Sequence, residues 1–185
     1  MQKPKVKPAL ILLSDLWGEE KSDWVENYKM ALREYFDIEC YDSCVLGDVR
    51  TTGYDEKHIH DQFVNSGIEM AVEKLVLQVP DAPYILGFSV GGVIAWKAAL
   101  AGIKAKRIFA VSSTRLRYET QKPSGLVELF YGENDLYTPT RKWFQQMGIT
   151  QKLYKDADHE FYKKPAIAED ICNRIISSLK RDRPQ

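Results

Sequence analysis

Short apolar runs alternate with helical patterns along the chain, and this alternation constrains the fold more than any other feature. The segments 9–13 and 84–88 are continuously apolar, as expected for strands covered on both faces. Four further strand-like segments follow the same pattern: 36–41, 107–111, 126–131 and 149–154. Helical patterns separate these strands. The sequence therefore predicts a mostly parallel six-stranded sheet with helices on both faces, a three-layer α/β/α sandwich.

The segments between the strands show apolar residues at three- and four-residue spacing, which is typical of amphipathic helices. We predict helices over 24–35, 58–79, 89–101 and 167–179, and one that begins at Thr138-Pro139. Thr138 would be the N-cap of that helix and Pro139 its first residue. Residues 42–57 and 112–124 are polar and are predicted to be loops.

The composition fits one globular domain with no highly charged partner. A chain of 185 residues that is 44% hydrophobic can bury a sizeable core. We treat 1–185 as a single domain and expect about residues 1–7 and 181–185 to be flexible. The 26 acidic and 26 basic residues give a formal net charge of zero. This balance predicts neither nucleic acid nor an anionic membrane as a partner.

The cysteines indicate a reducing compartment. Cys40, Cys44 and Cys172 are too few for a disulfide framework, and no clustered histidine accompanies them to suggest a metal site. The apolar run 9–13 is shorter than the core of a signal peptide, which has about 7–15 residues. No stretch approaches the ~20 apolar residues of a membrane span. We expect a cytoplasmic protein without a metal ion.

Residues 87–92 read Gly-Phe-Ser-Val-Gly-Gly and match the G-x-S-x-G pattern of a nucleophile elbow. In that motif a serine lies on a tight strand-to-helix turn, and its neighbours two residues away must be small for the chain to pass. The apolar segment before Ser89 and the helical segment after it supply the required context. We identify Ser89 as the candidate nucleophile; the alternative is a glycine turn that binds phosphate or is merely tight.

A serine hydroxyl needs a base and the base needs an acid, in the order Ser, acid, His in this arrangement. His159 follows the last strand and is the candidate base, whereas His58 and His60 precede Ser89 and are interpreted as solvated residues of a helix start. Asp135 follows the fifth strand and is the candidate acid. Three other acids near these positions remain alternatives: Glu133, Asp156 and Asp158.

Two backbone N–H groups would stabilise the oxyanion that forms when serine attacks an acyl group. One is the N–H of Val90, directly after the nucleophile. The other is expected from the loop after the first strand, Ser14-Asp15-Leu16-Trp17-Gly18, at Leu16. Each such donor typically stabilises the transition state by about 3–4 kcal/mol.

The sequence resembles the α/β-hydrolase superfamily over nearly the whole chain. The resemblance rests on the elbow, the segment 132–139 and the segment Asp158-His159-Glu160-Phe161. The similarity is to its small lidless serine esterases and to members with dienelactone-hydrolase architecture. It implies the strand order 2-1-3-4-5-6, hydrolysis through a Ser-Asp-His triad and an acyl-enzyme, and no cofactor. Dienelactone hydrolases use a cysteine nucleophile, so their activity is not carried over to Ser89.

Two features of the sequence depart from that family pattern. Members often have His-Gly where this chain has Ser14-Asp15, which leaves the second oxyanion donor open. The connection 112–125 is too short for the helical cap that many relatives insert there. This predicts an open site for a small-molecule acyl substrate, or for an acyl group presented by a larger molecule. Trp17, Arg115 and Arg117 are candidate substrate-binding residues, and the two arginines would favour an acidic substrate. A solvated basic loop is the alternative.

The function predicted from the sequence is that of a serine hydrolase of the carboxylesterase type. Two other classes remain open at this point. One is a non-catalytic binding module that retains the fold, and the other is a thioesterase or peptidase that uses the same triad. The sequence indicates no oligomeric state.

Overall fold

The computed structural model describes residues 7–79 and 82–182, with Tyr54 described by its backbone alone. Six strands follow one another along the chain: β1 Ala9–Leu13, β2 Asp37–Tyr41, β3 Tyr84–Phe88, β4 Arg107–Val111, β5 Leu126–Gly132 and β6 Gln151–Tyr154. They form one sheet in the order β2-β1-β3-β4-β5-β6, and every neighbouring pair is parallel. The predicted sheet and its strand order are confirmed.

The described residues form seven α-helices, six of which lie between strands while the last follows β6: α1 Val25–Leu32, α2 Ser43–Leu46, α3 Glu56–Gln62, α4 Ile68–Gln78, α5 Val90–Leu100, α6 Arg141–Met147 and α7 Pro165–Arg181. A π-helical turn, Phe63–Gly67, joins α3 to α4, so the predicted long helix is continuous but locally wider. Within the described residues, no helix is both long and apolar enough to cross a bilayer.

The two faces of the sheet are covered by different helices, which explains the continuously apolar strands. Successive β1 residues alternate, so Leu10 and Leu12 lie in one core and Ile11 and Leu13 lie in the other. The first core packs against α1 and α7, and the second against the helices from α2 to α6. Burial on both faces is the arrangement of doubly wound parallel sheets, and it confirms the three-layer architecture.

Two local predictions need correction. The segment 42–57, expected to be a loop, contains α2, because the Asp42 carboxylate accepts the N–H groups of Cys44 and Val45 at 2.7 and 3.2 Å and caps a short helix. The helix expected to begin at Thr138 begins two residues later. Its N-cap is Thr140, whose hydroxyl accepts the N–H of Trp143 at 3.3 Å.

The last helix extends into the C-terminal segment for which flexibility was expected. Helix α7 continues through Arg181, and the Asp182 carboxylate accepts two N–H groups of the buried Arg107 guanidinium, at 2.7 and 3.1 Å. Arg107 lowers the pKa of Asp182. The remaining residues of the expected flexible ends, 1–6 and 183–185, lie outside the described residues.

The connection between β4 and β5 holds only a short 3-10 turn, Thr114–Tyr118, and no inserted cap. The carboxyl ends of all six strands therefore open onto one edge of the sheet without a covering domain. Loops at this edge are where a doubly wound sheet carries its function.

Candidate active site

Ser89 lies at the turn from β3 into α5 in a backbone conformation that is unusual for a residue with a side chain. Its φ is 48° and its ψ is −113°, and a positive φ outside glycine persists only where the surrounding structure imposes it. The Ser89 N–H donates to the carbonyl oxygen of Val111 at 2.7 Å and fixes the turn to β4. The half-buried hydroxyl faces the open edge of the sheet.

Glycines around Ser89 are required by close backbone contacts. A Cβ on Gly87 would lie 2.5 Å from the carbonyl carbon of Gly91, and a Cβ on Gly91 would lie 2.5 Å from the carbonyl oxygen of Ser14. Gly92 is crowded by side chains instead, since a Cβ there would lie 1.9 Å from Oγ of Ser113. The elbow therefore packs backbone to backbone against the loop that follows β1.

The structure brings Ser89, His159 and Asp135 together from the ends of three strands. Oγ of Ser89 lies 3.1 Å from Nε2 of His159, and Nδ1 of the same ring lies 2.6 Å from Oδ2 of Asp135. The Asp135 carboxylate accepts hydrogen bonds and cannot donate them, so Nδ1 carries the proton between them. Nε2 is then free to accept the proton of the Ser89 hydroxyl.

Local hydrogen bonds hold the acid and the base in place. The side chain of Asp135 is 2% exposed, and its Oδ1 accepts the N–H of Tyr137 at 3.1 Å. The Ser112 hydroxyl donates to the carbonyl oxygen of His159 at 2.6 Å. The ring of His159 stays 35% exposed. Burial of the acid and partial exposure of the base suit a histidine that exchanges protons with a bound molecule.

The other acids near His159 are engaged elsewhere. Glu133 is exposed and accepts the N–H of Asp156 at 3.3 Å, and Asp158 accepts the N–H of Glu160 at 3.1 Å. Among the described acids, the one that pairs with the His159 ring is Asp135. Of the four acids that the sequence left open, Asp135 is thus the one that lies against the His159 ring.

A cleft of about 730 Å³ opens above Ser89 and His159. Both predicted oxyanion residues, Val90 and Leu16, line it. The three predicted substrate-binding residues also line it: Trp17, Arg115 and Arg117. The N–H of Val90 belongs to the first turn of α5, where backbone donors have no partner within the helix.

Asp15, whose carboxylate near an oxyanion site would be unfavourable, turns away from the cleft and is fully buried. Its Oδ1 accepts the N–H of Trp17 at 3.0 Å, and its Oδ2 accepts the hydroxyl of Tyr162 at 2.9 Å. Burial raises the pKa of Asp15, and the hydrogen bond from Trp17 and the charge of Lys163 partly offset this. The Asp15 side chain thus stabilises the loop after β1 through hydrogen bonds on the side away from the cleft.

Several cleft residues were not identified from the sequence: Glu56, His60, Phe63, Val93, Thr114, Tyr137, Glu160 and Tyr162. Tyr137 and Tyr162 lie two and three residues after Asp135 and His159, so their positions in the same loops were an available signal. Glu56, His60 and Phe63 come from α3 and the π-helical turn, whose approach to the cleft no local pattern indicates. His60 is half-exposed, as expected for a solvated residue, and borders the cleft.

A second, smaller cavity of about 170 Å³ lies beside β2 and contains Cys40. Burial raises the pKa of the Cys40 thiol, which disfavours the reactive thiolate. No histidine lines this cavity, and no described group of three or more His, Cys, Asp or Glu residues is placed to hold a metal ion. The cleft above Ser89 is therefore the candidate active site.

Solved structures share this fold. Mouse α/β hydrolase domain-containing protein 10 superposes with a TM-score of 0.69 at 13% identity, over 97% of this chain and 92% of that chain. An α/β serine hydrolase without a lid from Xanthomonas campestris gives 0.60 at 17% identity, over 98% and 85%. A monoacylglycerol lipase from Paleococcus ferrophilus gives 0.63 at 15% identity, over 94% and 95%.

No family model and no curated protein sequence matches the chain. The structural similarity nevertheless extends over almost the full length of each protein. At these low identities it establishes the fold, and the chain has the α/β-hydrolase fold that the resemblance of its sequence implied.

Proposed function

We propose that this protein is a serine hydrolase that cleaves a carboxylic ester, or a related acyl bond, through an acyl-enzyme on Ser89. The observation that carries the proposal is the unbroken hydrogen-bonded series from Oγ of Ser89 through both nitrogens of His159 to the buried Asp135. A serine, an imidazole and a carboxylate in this relation activate the hydroxyl for attack on an acyl carbon. The hydrolases and the lipase among the similar folds support this chemistry.

In the proposed acylation, Oγ of Ser89 bonds to the acyl carbon while Nε2 of His159 takes the hydroxyl proton. The carbonyl oxygen becomes an oxyanion that accepts the N–H groups of Val90 and Leu16. The bond to the alcohol then breaks, and the alcohol oxygen takes the proton from Nε2. Asp135 accepts the hydrogen bond from Nδ1–H throughout and stabilises the imidazolium, without being protonated itself.

Deacylation repeats these steps with water. His159 takes a proton from the water as its oxygen bonds to the acyl carbon, and the collapse of this intermediate returns the proton to Oγ of Ser89. The chemistry requires no cofactor. The open cleft suits a small-molecule acyl substrate, and free cysteines at positions 40, 44 and 172 fit the cytoplasm.

Activity-based labelling tests the nucleophile directly. We expect a fluorophosphonate probe to modify Ser89, as mapped by peptide mass spectrometry, and short-chain aryl esters to be hydrolysed. Ser89→Ala should abolish labelling and lower kcat by roughly 10⁴-fold or more. Ser177→Ala is the matched control, because its exposed hydroxyl bonds only within α7. Absence of both labelling and turnover in the wild type would favour a non-catalytic binding module.

The histidine is tested in the same way. His159→Ala should lower kcat about as much as the serine variant, because the residues of a triad act as a unit. His58→Ala, on the exposed start of α3, is the control and should retain wild-type rates. Rates on matched oxygen ester, thioester and amide substrates then separate an esterase from a thioesterase or a peptidase.

A further inference from the structure

Two arginines line the cleft without a carboxylate partner. Arg115 and Arg117 lie on the 3-10 turn after β4 and both border the cleft that contains Ser89. The arginine ion pairs of the described residues involve Arg33, Arg107, Arg174 and Arg181 instead. Both guanidinium groups stack on the ring of Tyr118, at 5.2 and 4.3 Å from its centroid. Two like charges on one ring repel each other.

Arg117 is held in place before any ligand binds. Its guanidinium donates to the carbonyl oxygen of Thr114 and to the hydroxyl of Tyr118, both at 2.9 Å. It also lies 5.4 Å from the ring centroid of Tyr137, in the loop that carries Asp135. These two hydrogen bonds leave further N–H donors of the five that a guanidinium carries. A planar, fixed donor group with free N–H bonds is suited to a carboxylate.

The acids of the cleft do not neutralise these arginines. Glu160 pairs with Lys163, whose ammonium also lies 3.8 Å from Asp15 on the β1 side of the cleft. Glu56 lies on α3 and is exposed. Next to the arginines the cleft is lined by Thr114 and by Tyr137. On the β4 and β5 side of Ser89 the described acid at the site is Asp135, which pairs with His159. Two arginine charges there face one carboxylate, so the balance on this side is positive.

We propose that Arg115 and Arg117 form an anion subsite, and that the substrate is an acyl compound that carries a carboxylate a few bonds from the scissile group. This inference rests on the proposed hydrolase function for its catalytic consequence, but the binding of the anion does not require hydrolysis. Apolar residues of the same cleft, among them Trp17, Phe63 and Val93, would contact the rest of the molecule.

Paired substrates test the subsite. We expect kcat/KM for 4-nitrophenyl hydrogen adipate to exceed that for 4-nitrophenyl hexanoate by roughly tenfold, the order of one charged hydrogen bond. A second pair places the charge on the alcohol side: 3-(carboxymethyl)phenyl butyrate and 3-methylphenyl butyrate. The pair in which the anionic ester is preferred shows whether the acyl or the alcohol portion of the substrate reaches the arginines. The ratio of the two kcat/KM values should fall as salt is added.

Variants connect the preference to the two residues. Arg117→Gln and Arg115→Gln should each lower kcat/KM for the preferred anionic ester roughly tenfold more than they lower it for the matched neutral ester. Arg117→Lys keeps the charge without the planar fork and should give an intermediate value. Arg33→Gln removes the same charge from an exposed site outside the cleft and is the matched control. Thermal unfolding checks that each variant is folded.

A binding measurement separates this proposal from the hydrolase proposal. Calorimetry on Ser89→Ala should show that adipic acid monoanilide binds at least tenfold more tightly than hexananilide, and that adding Arg117→Gln removes the difference. Equal binding of the two anilides, or an anionic preference that survives both arginine substitutions, overturns the subsite. If Ser89 neither labels nor turns over any ester while the monoanilide still binds through Arg117, the hydrolase proposal fails and the subsite stands.

Discussion

The two halves of the proposed oxyanion hole are built by different means. At the elbow, the N–H of Val90 is positioned by backbone contacts among Gly87, Gly91 and their neighbours. In the β1 loop, the backbone next to Leu16 is held by side chains, above all by Asp15, which accepts the N–H of Trp17 and the hydroxyl of Tyr162. One half depends on the absence of side chains, and the other depends on a buried polar network.

Further contacts of the β1 loop come from α2. The Ser43 hydroxyl donates to the carbonyl oxygen of Ser14 at 2.6 Å, and Sγ of Cys44 donates to that of Leu16 at 3.3 Å. An added side chain at the elbow would displace closely packed backbone, whereas the loss of one hydrogen bond in the β1 loop leaves the others in place. The two halves should therefore respond differently to substitution.

Gly91→Ala should have the largest effect. Its Cβ would meet the carbonyl oxygens of Ser14 and Leu13 at 2.5 and 2.7 Å, and these backbone atoms cannot move aside without displacing β1. We expect the free energy of unfolding to fall by about 1–3 kcal/mol. We expect kcat/KM to fall about 100-fold, as for a misplacement near 1 Å. Urea unfolding and ester turnover measure the two effects.

Gly148→Ala is the control for that substitution. Its φ of 60° makes alanine unfavourable, but no atom lies within 4 Å of the added Cβ, and the residue is outside the cleft. It should lose some stability and keep its activity. Wild-type turnover in Gly91→Ala would show that the elbow does not depend on this contact.

Asp15→Asn should have an intermediate effect. An amide has one acceptor oxygen where the carboxylate uses two, so either the bond from Trp17 or the bond from Tyr162 is lost. We expect kcat to fall about fivefold with little change in KM, since one hydrogen bond of this kind contributes about 1 kcal/mol. Asp158→Asn, an exposed acid beside His159, should stay within about twofold of wild type. Equal losses in both variants would argue against a specific role of Asp15.

Tyr162→Phe should have a smaller effect on turnover, because Asp15 keeps its bond to Trp17. We expect about a threefold loss in kcat and a loss of about 1 kcal/mol in unfolding free energy. Tyr28→Phe is the control, because it removes another buried hydroxyl nearby. That hydroxyl donates to the carbonyl oxygen of Tyr162 at 2.8 Å, and the Tyr28 ring packs on Phe88. This variant should lose comparable stability and retain more activity. An unchanged kcat in Tyr162→Phe would show that the hydrogen bond between Tyr162 and Asp15 does not contribute to catalysis.

The difference between the elbow and the β1 loop also explains which features could be predicted from the sequence. The apolar runs, the elbow and the order of Ser89, Asp135 and His159 are local patterns, and they sufficed to predict the sheet and three side chains that do lie within hydrogen-bond distance. The bond from Tyr162 to Asp15 joins residues 147 positions apart, and no local pattern indicates it. Helix α2 was missed because a single capping residue, Asp42, stabilises four helical residues.

The smallest effect is on the pH dependence of stability. Burial raises the folded-state pKa of Asp15 above its ordinary value of 3.8, so the folded protein binds this proton more tightly than the unfolded chain does. The stability that the protonated form contributes is present below about pH 4 and is lost as pH rises through the raised pKa. Asp15→Asn cannot titrate. Its stability relative to wild type should therefore rise with pH in urea unfolding between about pH 4 and 8, and a constant difference would contradict the shift.

The placement of His159 has a consequence for how the protein would fail under heat. The residue follows β6, an edge strand of four residues that pairs with β5 alone. Segments of this kind open at lower free energy than central strands, without global unfolding. Ser89, by contrast, follows a fully buried strand in the middle of the sheet. On heating, His159 would therefore move away from Ser89 while Ser89 stayed in place. Thermal inactivation would then precede global unfolding.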